Sequence, residues 1–460
     1  MRHHPILLFL FAGTSLFAQL DTTVLTFEEY FQNILMDHPL ARQADLRLDL
    51  RDAELLAARG AFDPIVAANW DQKNFKGDLY YQNYEAKLII PTPLGIDVVG
   101  GYENTDGIFV NDQLTTSEFG LWNVGVEVNA LQGLMVNRRR IGLQQAEVFS
   151  DLAENERLVL LNELLFDAAA AYFTWQENFY ETIVLLENLQ LAREYFVGTR
   201  ESFFLGEKTA LDTLETFTYI LDAEIRLQKN QLDRIKARQN VENYLWVNET
   251  PAFLRPRTVP EDYRDPLLPT RILFELDDLT THPIVQAAVA KLSILELEQR
   301  LKRQKLLPKL KVKFNPLLAT DSEGIGPMGF NRNDFKWGFD LDLPLLFRQA
   351  RADVQRGEIK LLEAGLDLQN KRNELLNKIE ASQDQLVTLE QQIATVEENV
   401  DRYRLLLEGE ATKFQFGESS VFLVNRRQEK YIEGRIKLIE AYVKRQREVM
   451  NFLFYTGRLL

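Results

Sequence analysis

The sequence predicts a mainly α-helical chain with a membrane β-barrel part, built as a tandem repeat of long antiparallel coiled-coil helices plus β-strands. Three observations carry that expectation. A His-Pro phrase opens a long helical pattern twice, the two halves match in constant registers, and between the helical stretches the apolar period changes from 3.5 to 2.

The chain has 460 residues, room for several ordinary domains or one elongated one. At its start, Arg2, His3 and His4 precede the apolar run "PILLFLFAGTSLFA", which ends on the small residue Ala18. A basic start, a short apolar core and a small-residue end make residues 1–18 a secretory signal peptide, too short to span a bilayer comfortably. No later stretch reads as ~18 uninterrupted apolar residues, so any insertion into a membrane is expected to use strands. The formal charge is −15, from 68 acidic against 53 basic residues, which argues against a nucleic-acid partner because that needs a basic face. There is no cysteine, which excludes disulfides, thiolate metal sites, a cysteine nucleophile and a lipoprotein anchor.

The duplication shows first in "DHPLAR" (37–42) and "THPIVQ" (281–286). Proline suits the first turn of a helix, where its missing N–H has no partner to lose, and Asp37 or Thr281 just ahead is expected to cap the helix. At an offset of 244, Leu35 meets Leu279, Ala44 meets Ala288, Glu54 meets Glu298 and Pro64 meets Pro308. The offset then becomes 211 and stays there. "NELL" recurs at 162–165 and 373–376, Arg140 meets Arg351, Arg193 meets Arg404, and Gly206-Glu207 meets Gly417-Glu418. The 33-residue difference falls between the terminating proline and the matched arginine, so the halves differ mainly in their strand segments.

Each half therefore reads helix, strands, very long helix, turn, helix. No proline interrupts Arg140 to Gly206 or Arg351 to Gly417, which permits helices of about 66 residues, roughly 100 Å long. Leu386, Leu389, Ile393, Val396, Val400, Tyr403 and Leu407 step alternately by three and four, a coiled-coil seam that demands packed neighbours. Gly206 and Gly417 supply the backbone freedom that ends a helix. The expected organisation is a first repeat over 19–250, with strands at about 65–132 and helices at about 138–246, and a proline-rich connector at 251–269. A second repeat covers 270–460, with strands at about 309–345 and helices at about 350–456.

The proline-terminated segments alternate with a period of two: "IVAANWDQKNF" and "GLWNVGVEVNAL" in the first half, "LKVKFNPLLA" and "FKWGFDLDL" in the second. Trp70, Tyr80, Tyr81, Trp122 and Trp337 concentrate there, as a girdle at a bilayer interface requires. The extra length of the first half holds "EAKLIIPTPLGIDVVGGYEN", a hairpin turning at Pro91–Gly95. Two core strands per half plus this hairpin make four to six strands. A membrane barrel needs at least about eight, and open edges in lipid leave backbone groups unpaired, so several chains must share one barrel.

Chemistry is sparse. His38 and His282 stand at equivalent helix starts with no second ligand at metal spacing, and read as capping and packing positions. "GIGPMG" (324–329) spells a dinucleotide fingerprint but lacks the strand–turn–helix setting, and Pro327 lies inside it. Carboxylate pairs such as Glu397-Glu398 suit a solvated helix face. No catalytic residue, cofactor or metal site is expected, and the chain does not read as an enzyme.

Over essentially its whole mature length, the chain resembles the TolC family of trimeric outer-membrane channels. The resemblance rests on the twofold repeat, "LTFEEYFQNILMDHPLARQADLRL", the prolines Pro64 and Pro308, "PLLFRQARADVQRGEIKLLEA", and the phrases "FLGEKTALDTL" and "FGESSVFLV". It implies a trimeric α/β-barrel conduit: one barrel in the outer membrane and a helical tube in the periplasm. It also implies docking to a periplasmic adaptor protein that is coupled to an inner-membrane pump, in efflux or type I secretion. Leu205, Gly206, Glu207, Phe416, Gly417 and Glu418 would lie at the periplasmic tip, and Asp212 matches a tip-proximal aspartate of the family. Some members narrow the tip with carboxylate rings beyond the second glycine. Here those positions are Leu423 and Arg426, so Phe422, Leu423 and Arg426 are expected to form an apolar and basic constriction instead. The rival reading is a periplasmic coiled-coil scaffold or adaptor whose strands form a soluble domain.

Overall fold

A computed structural model describes residues 23–265, 278–319 and 333–460. The signal peptide, the "GIGPMG" phrase, Pro266 and Pro269 lie outside the described residues. The chain begins with β1 (Thr23–Leu25), α1 (Phe27–Asp37), α2 (Pro39–Gly60), β2 (Ile65–Phe75), β3 (Asp78–Pro91), β4 (Ile96–Asp106) and β5 (Leu121–Asn129). It continues through α3 (Arg138–Phe204), α4 (Ala210–Glu242), β6 (Trp246–Val247), β7 (Thr250–Pro251), β8 (Thr258–Pro260), α5 (Asp278–Thr281) and α6 (Pro283–Gln304). It ends with β9 (Lys309–Ala319), β10 (Phe335–Asp342), α7 (Arg348–Gln415) and α8 (Val421–Thr456).

Both His-Pro phrases open helices, but the cap differs from expectation. His282 itself is the N-cap of α6, its Nδ1 accepting from the Ile284 N–H at 3.1 Å, so Thr281 does not fill that role. At the other phrase, His38 ends α1 and lies against Tyr244, with ring centres 5.8 Å apart. Burial lowers the pKa of both imidazoles, which suits neutral packing side chains.

The chain divides into two compact units, each drawn from both repeats. Of the described residues the first takes 23–38, 165–265 and 385–450. Its core is aromatic: Tyr30, Tyr172, Phe173 and Trp175 are fully buried, and Phe27 stacks on Phe173 at 5.1 Å. The Tyr172 hydroxyl donates to the Leu25 carbonyl at 2.7 Å and accepts from the Glu261 N–H at 3.0 Å. It thereby ties the parallel β1–β8 pair to α3. The Gln176 amide donates to the Glu261 carbonyl at 2.9 Å and the Gln446 amide to the Tyr263 carbonyl at 2.8 Å. These bonds lay the described part of the connector along the helices and satisfy its backbone groups. Farther along, Leu185, Leu189 and Ala192 of α3 pack on Ile220, Ala223 and Leu227 of α4. All seven seam residues of α7 are buried or half-buried, while Glu390, Glu397 and Arg404 are exposed. At Gly434 of α8, an added Cβ would stand 3.1 Å from Tyr403, a close approach along that seam.

Of the described residues the second unit takes 39–164, 278–319, 333–384 and 451–460. Leu152 of α3 packs with Ala287 and Ala290 of α6, flanked by the ion pairs Arg157–Asp45 at 2.7 Å and Lys291–Glu156 at 3.0 Å. A six-stranded antiparallel sheet in the order β10-β9-β5-β4-β3-β2 completes it. The expected extra hairpin is β3–β4, and β5 pairs with β9 to join the strands of the two repeats. Between β2 and β3, Lys76 and Gly77 both have positive φ, as a tight two-residue hairpin requires.

α3 contains an 18-residue window apolar enough, by length and composition, to cross a membrane, and half of that window is buried inside the protein. The apolar run has a packing role, because Leu161, Leu164, Leu165, Ala168, Ala169, Tyr172 and Phe173 are all core residues.

Candidate functional site

The two turns that join the long helices are built alike. Gly206 has φ +79° and Gly417 has φ +76°. After the first, the Glu207 N–H donates to the Ser202 carbonyl at 2.9 Å and the Gly206 N–H to Phe203 at 3.0 Å. After the second, Glu418 donates to Lys413 at 2.9 Å and Gly417 to Phe414 at 3.1 Å. This is the Schellman closure, which satisfies the last carbonyls of a helix and needs a left-handed residue at its glycine. The Lys208 ammonium lies 4.2 Å from the centre of the Phe414 ring and links the two turns.

The helix starts that follow are not alike. Thr209 caps α4 and Asp212 answers it, so both members of a capping box are present. The hydrogen bonds from Thr209 hold the Asp212 carboxyl below its usual range. At the start of α8, Ser420 accepts from the Leu423 N–H at 3.3 Å, but Leu423 has no carboxylate to return. Asp212 therefore has its carboxylate turned onto a cap, a local role that the sequence comparison did not reveal.

Apolar side chains crowd these turns and face solvent. Leu205 is 76% exposed, Phe416 78%, and Phe204, Leu211, Leu214 and Phe422 are also mostly exposed. Glu207 and Glu418 are exposed beside them. Exposed apolar side chains rimmed by charge are the composition of an interaction surface.

Just behind the turns, α4 and α8 frame a cleft lined by Phe422, Arg426, Glu215, Asp222, Arg226 and Glu429. Glu429 is held by two guanidinium groups, Arg226 at 3.1 Å and Arg426 at 2.8 Å. Burial pushes its carboxyl up, and hydrogen bonds and charge from the two arginines bring it below its usual range. Deeper in, Asn188 accepts from Gln428 at 2.9 Å and from the Tyr219 hydroxyl at 3.2 Å. Burial pushes Tyr219 up to about 12. Of the residues expected at or beside a constriction, Phe422 and Arg426 share this cleft, and Asp212 and Leu423 are outside its lining. Sequence reading missed Glu215, Arg226 and Glu429. The 211 register does align Glu215 with Arg426, a signal that was there to use.

The sheet has two distinct faces. Along strand alternation one carries Trp70, Tyr84, Tyr102, Trp122, Phe314 and Trp337 among aliphatic residues. Tyr84, Tyr102 and Trp122 form a row, with ring centres 6.0 and 4.9 Å apart. The opposite face carries ion pairs: Lys313–Asp340 at 2.8 Å, Lys336–Glu103 at 2.6 Å and Arg139–Asp97 at 2.7 Å. Both edges are open. Every residue of β2 is exposed, and so is every residue of β10 except Gly338. Among the described residues no three His, Asp or Glu side chains group as a metal site.

Solved structures share this fold. The outer-membrane channel OprN superposes with a TM-score of 0.70 at 14% identity, over 94% of this chain and 89% of that one. The CmeC outer membrane channel of Campylobacter jejuni gives 0.68 at 12%, over 94% and 85%. The outer membrane protein VceC of Vibrio cholerae gives 0.68 at 12%, over 94% and 96%. No protein-family model matches the chain, and no curated protein matches it significantly. The TolC-like fold expected from the sequence is the fold of this chain.

Proposed function

We propose that the protein is an outer-membrane channel, a passive conduit in efflux or type I secretion. Three copies share one barrel in the outer membrane, and their helices form a tube in the periplasm. The first repeat (19–250) and the second (270–460) each supply strands and helices to it. The tube docks through Leu205, Gly206, Glu207, Phe416, Gly417 and Glu418 to a periplasmic adaptor coupled to an inner-membrane pump. The signal peptide at residues 1–18 accounts for export, and the protein catalyses nothing and uses no cofactor.

The observation that carries this reading is the open-edged sheet with one apolar and one ion-paired face. In lipid each unpaired backbone group costs several kcal/mol, so such a sheet is stable there only if β2 of one copy meets β10 of another. Three copies of a six-stranded sheet give eighteen strands, within the range of known outer-membrane barrels. The apolar face would meet lipid and the charged face would line water.

The native mass of protein extracted by detergent from the outer-membrane fraction tests it. Three chains per particle supports the shared barrel; a soluble monomer refutes it and leaves a periplasmic scaffold. Asp212, Phe422, Leu423 and Arg426 are the candidates for the constriction of the tip. Replacing Leu423 and Arg426 by small neutral residues is expected to raise single-channel conductance in planar bilayers, and an unchanged conductance removes that assignment.

A further inference from the structure

Where β10 gives way to α7, exposed apolar side chains continue past the end of the strand. Phe335, Trp337, Phe339 and Leu341 alternate along the strand, and Leu343 and Leu345 continue the same parity into the loop. Leu345 is 89% exposed and Leu346 56%, both in a segment that ends at Phe347 with φ +47°. A bulky residue rarely adopts that conformation, so the loop is held in a shape that the local chain does not favour. A hollow at this place is lined by Leu345, Leu346 and Phe347 together with Lys305, Lys309 and Arg348. Lys305 has Asp353 at 3.5 Å, whereas Arg348 has no ion-pair partner among the described residues.

The other strand-to-helix junction repeats the device. Met135 and Leu131 are exposed there and Arg138 follows, while Arg139 is paired with Asp97 and Arg140 donates to the Met135 carbonyl. In both repeats, then, exposed aliphatic side chains stand one turn ahead of guanidinium groups, at the helix-ward limit of the apolar face.

We infer that the Leu345–Arg348 junction is a binding site for an anionic phospholipid, with the leucines among the acyl chains and Lys305 and Arg348 on the phosphate. The inference rests on the membrane-channel reading above. Apolar side chains flanked by cations are the pattern of a protein surface seated at an anionic bilayer interface, and long basic side chains reach the headgroups from below the apolar level. The continuity of Leu343 and Leu345 with the lipid-facing parity of β10 selects lipid as the occupant.

The test uses the full-length protein extracted in detergent and titrated with dioleoylphosphatidylglycerol or dioleoylphosphatidylcholine, with bound lipid counted by native mass spectrometry. Wild type is expected to prefer the anionic lipid. Lys305→Gln and Arg348→Gln should each reduce that preference about fivefold, the factor equivalent to ~1 kcal/mol per basic residue at an anionic surface. Leu345→Ser with Leu346→Ser should reduce retention of both lipids. Equal retention of the two lipids by wild type, or unaltered preference in the charge variants, overturns the inference while leaving the channel reading intact. A leucine variant with a changed native mass would make the junction an interface between copies and overturn it too. Wild type recovered only as a soluble protein would refute both.

Discussion

Glu181 of α3 should make this protein lose stability as pH rises. Its Oε2 accepts from the Asn230 amide at 2.9 Å, and the Asn230 carbonyl accepts from Thr182 at 2.6 Å. Burial is the chief cause that raises its pKa from 4.5 to about 7, followed by the charges of Glu177 on its own helix, Glu440 of α8 and Asp233 of α4. Below about pH 4.5 the carboxyl is protonated in folded and unfolded chains alike and contributes no pH dependence. Between about 4.5 and 7 the unfolded chain gives up the proton and the folded chain keeps it, so folding stability falls as pH rises through that window. A displacement of that size corresponds to at most ~3 kcal/mol; the side chain is partly solvated, and screening reduces this to about 1–2 kcal/mol. Glu181→Gln removes the charge and still offers an amide oxygen to Asn230. The assay is thermal unfolding of the detergent-extracted protein, wild type against variant, at pH 4.5 and pH 8. The variant should melt within about a degree of wild type at pH 4.5 and a few degrees higher at pH 8. An equal difference at both pH values, or a less stable variant at pH 8, would refute the electrostatic reasoning.

Tyr172→Phe strands the Leu25 carbonyl and the Glu261 N–H and should cost about 1–3 kcal/mol, read as a lower melting temperature and faster proteolysis near β1 and β8. Gly125→Ala would put a Cβ 2.2 Å from the Phe314 carbonyl, so the β5–β9 pairing must open; loss of the assembled species on unheated gels is the expected result. Gly206→Ala and Gly417→Ala each force a side chain into a left-handed turn at about 1 kcal/mol, with similar falls in melting temperature. Gly198→Ala, in the body of α3 with open space at its Cβ, should instead raise the melting temperature by removing a helix-interior glycine.

The elements were legible because each depends on a local signal. Proline-free stretches and stepped apolar spacing marked α3 and α7, alternation marked the strands, and positive-φ glycines ended the helices where the 211 register placed them. What stayed hidden depends on contacts between distant residues. No periodicity says that the connector reaches back to pair β8 with β1, or that Tyr172 bonds both. The cap at His282 was misassigned because Thr is the commoner capping residue, while an imidazole nitrogen at the same place accepts the same N–H. The α4–α8 cleft was half visible: Arg426 was singled out by alignment, but its partner Glu429 lies three residues on and emerges only from helix geometry.

That cleft also shows what the repeat retains and what it releases. The glycine turns are the same twice over because a Schellman closure has few chemical solutions. The helix starts behind them have diverged: Asp212 and Glu215 in the first repeat align with Leu423 and Arg426 in the second. An acidic residue at both Glu215 and Arg426 would add to Asp222 and Glu429 in one cleft, with repulsion on every side. The basic Arg426 instead gives Glu429 a second guanidinium, and the cleft becomes nearly balanced. Partly exposed pairs of this kind contribute ~1 kcal/mol or less each, far below the burial of Leu185, Leu189 and Leu227 alongside. The charges behind the turns are therefore too weak to hold the helices together, and the apolar contacts between α3 and α4 carry that load. On the channel reading proposed above, a substitution at Arg426 should therefore alter single-channel conductance while leaving the melting temperature nearly unchanged.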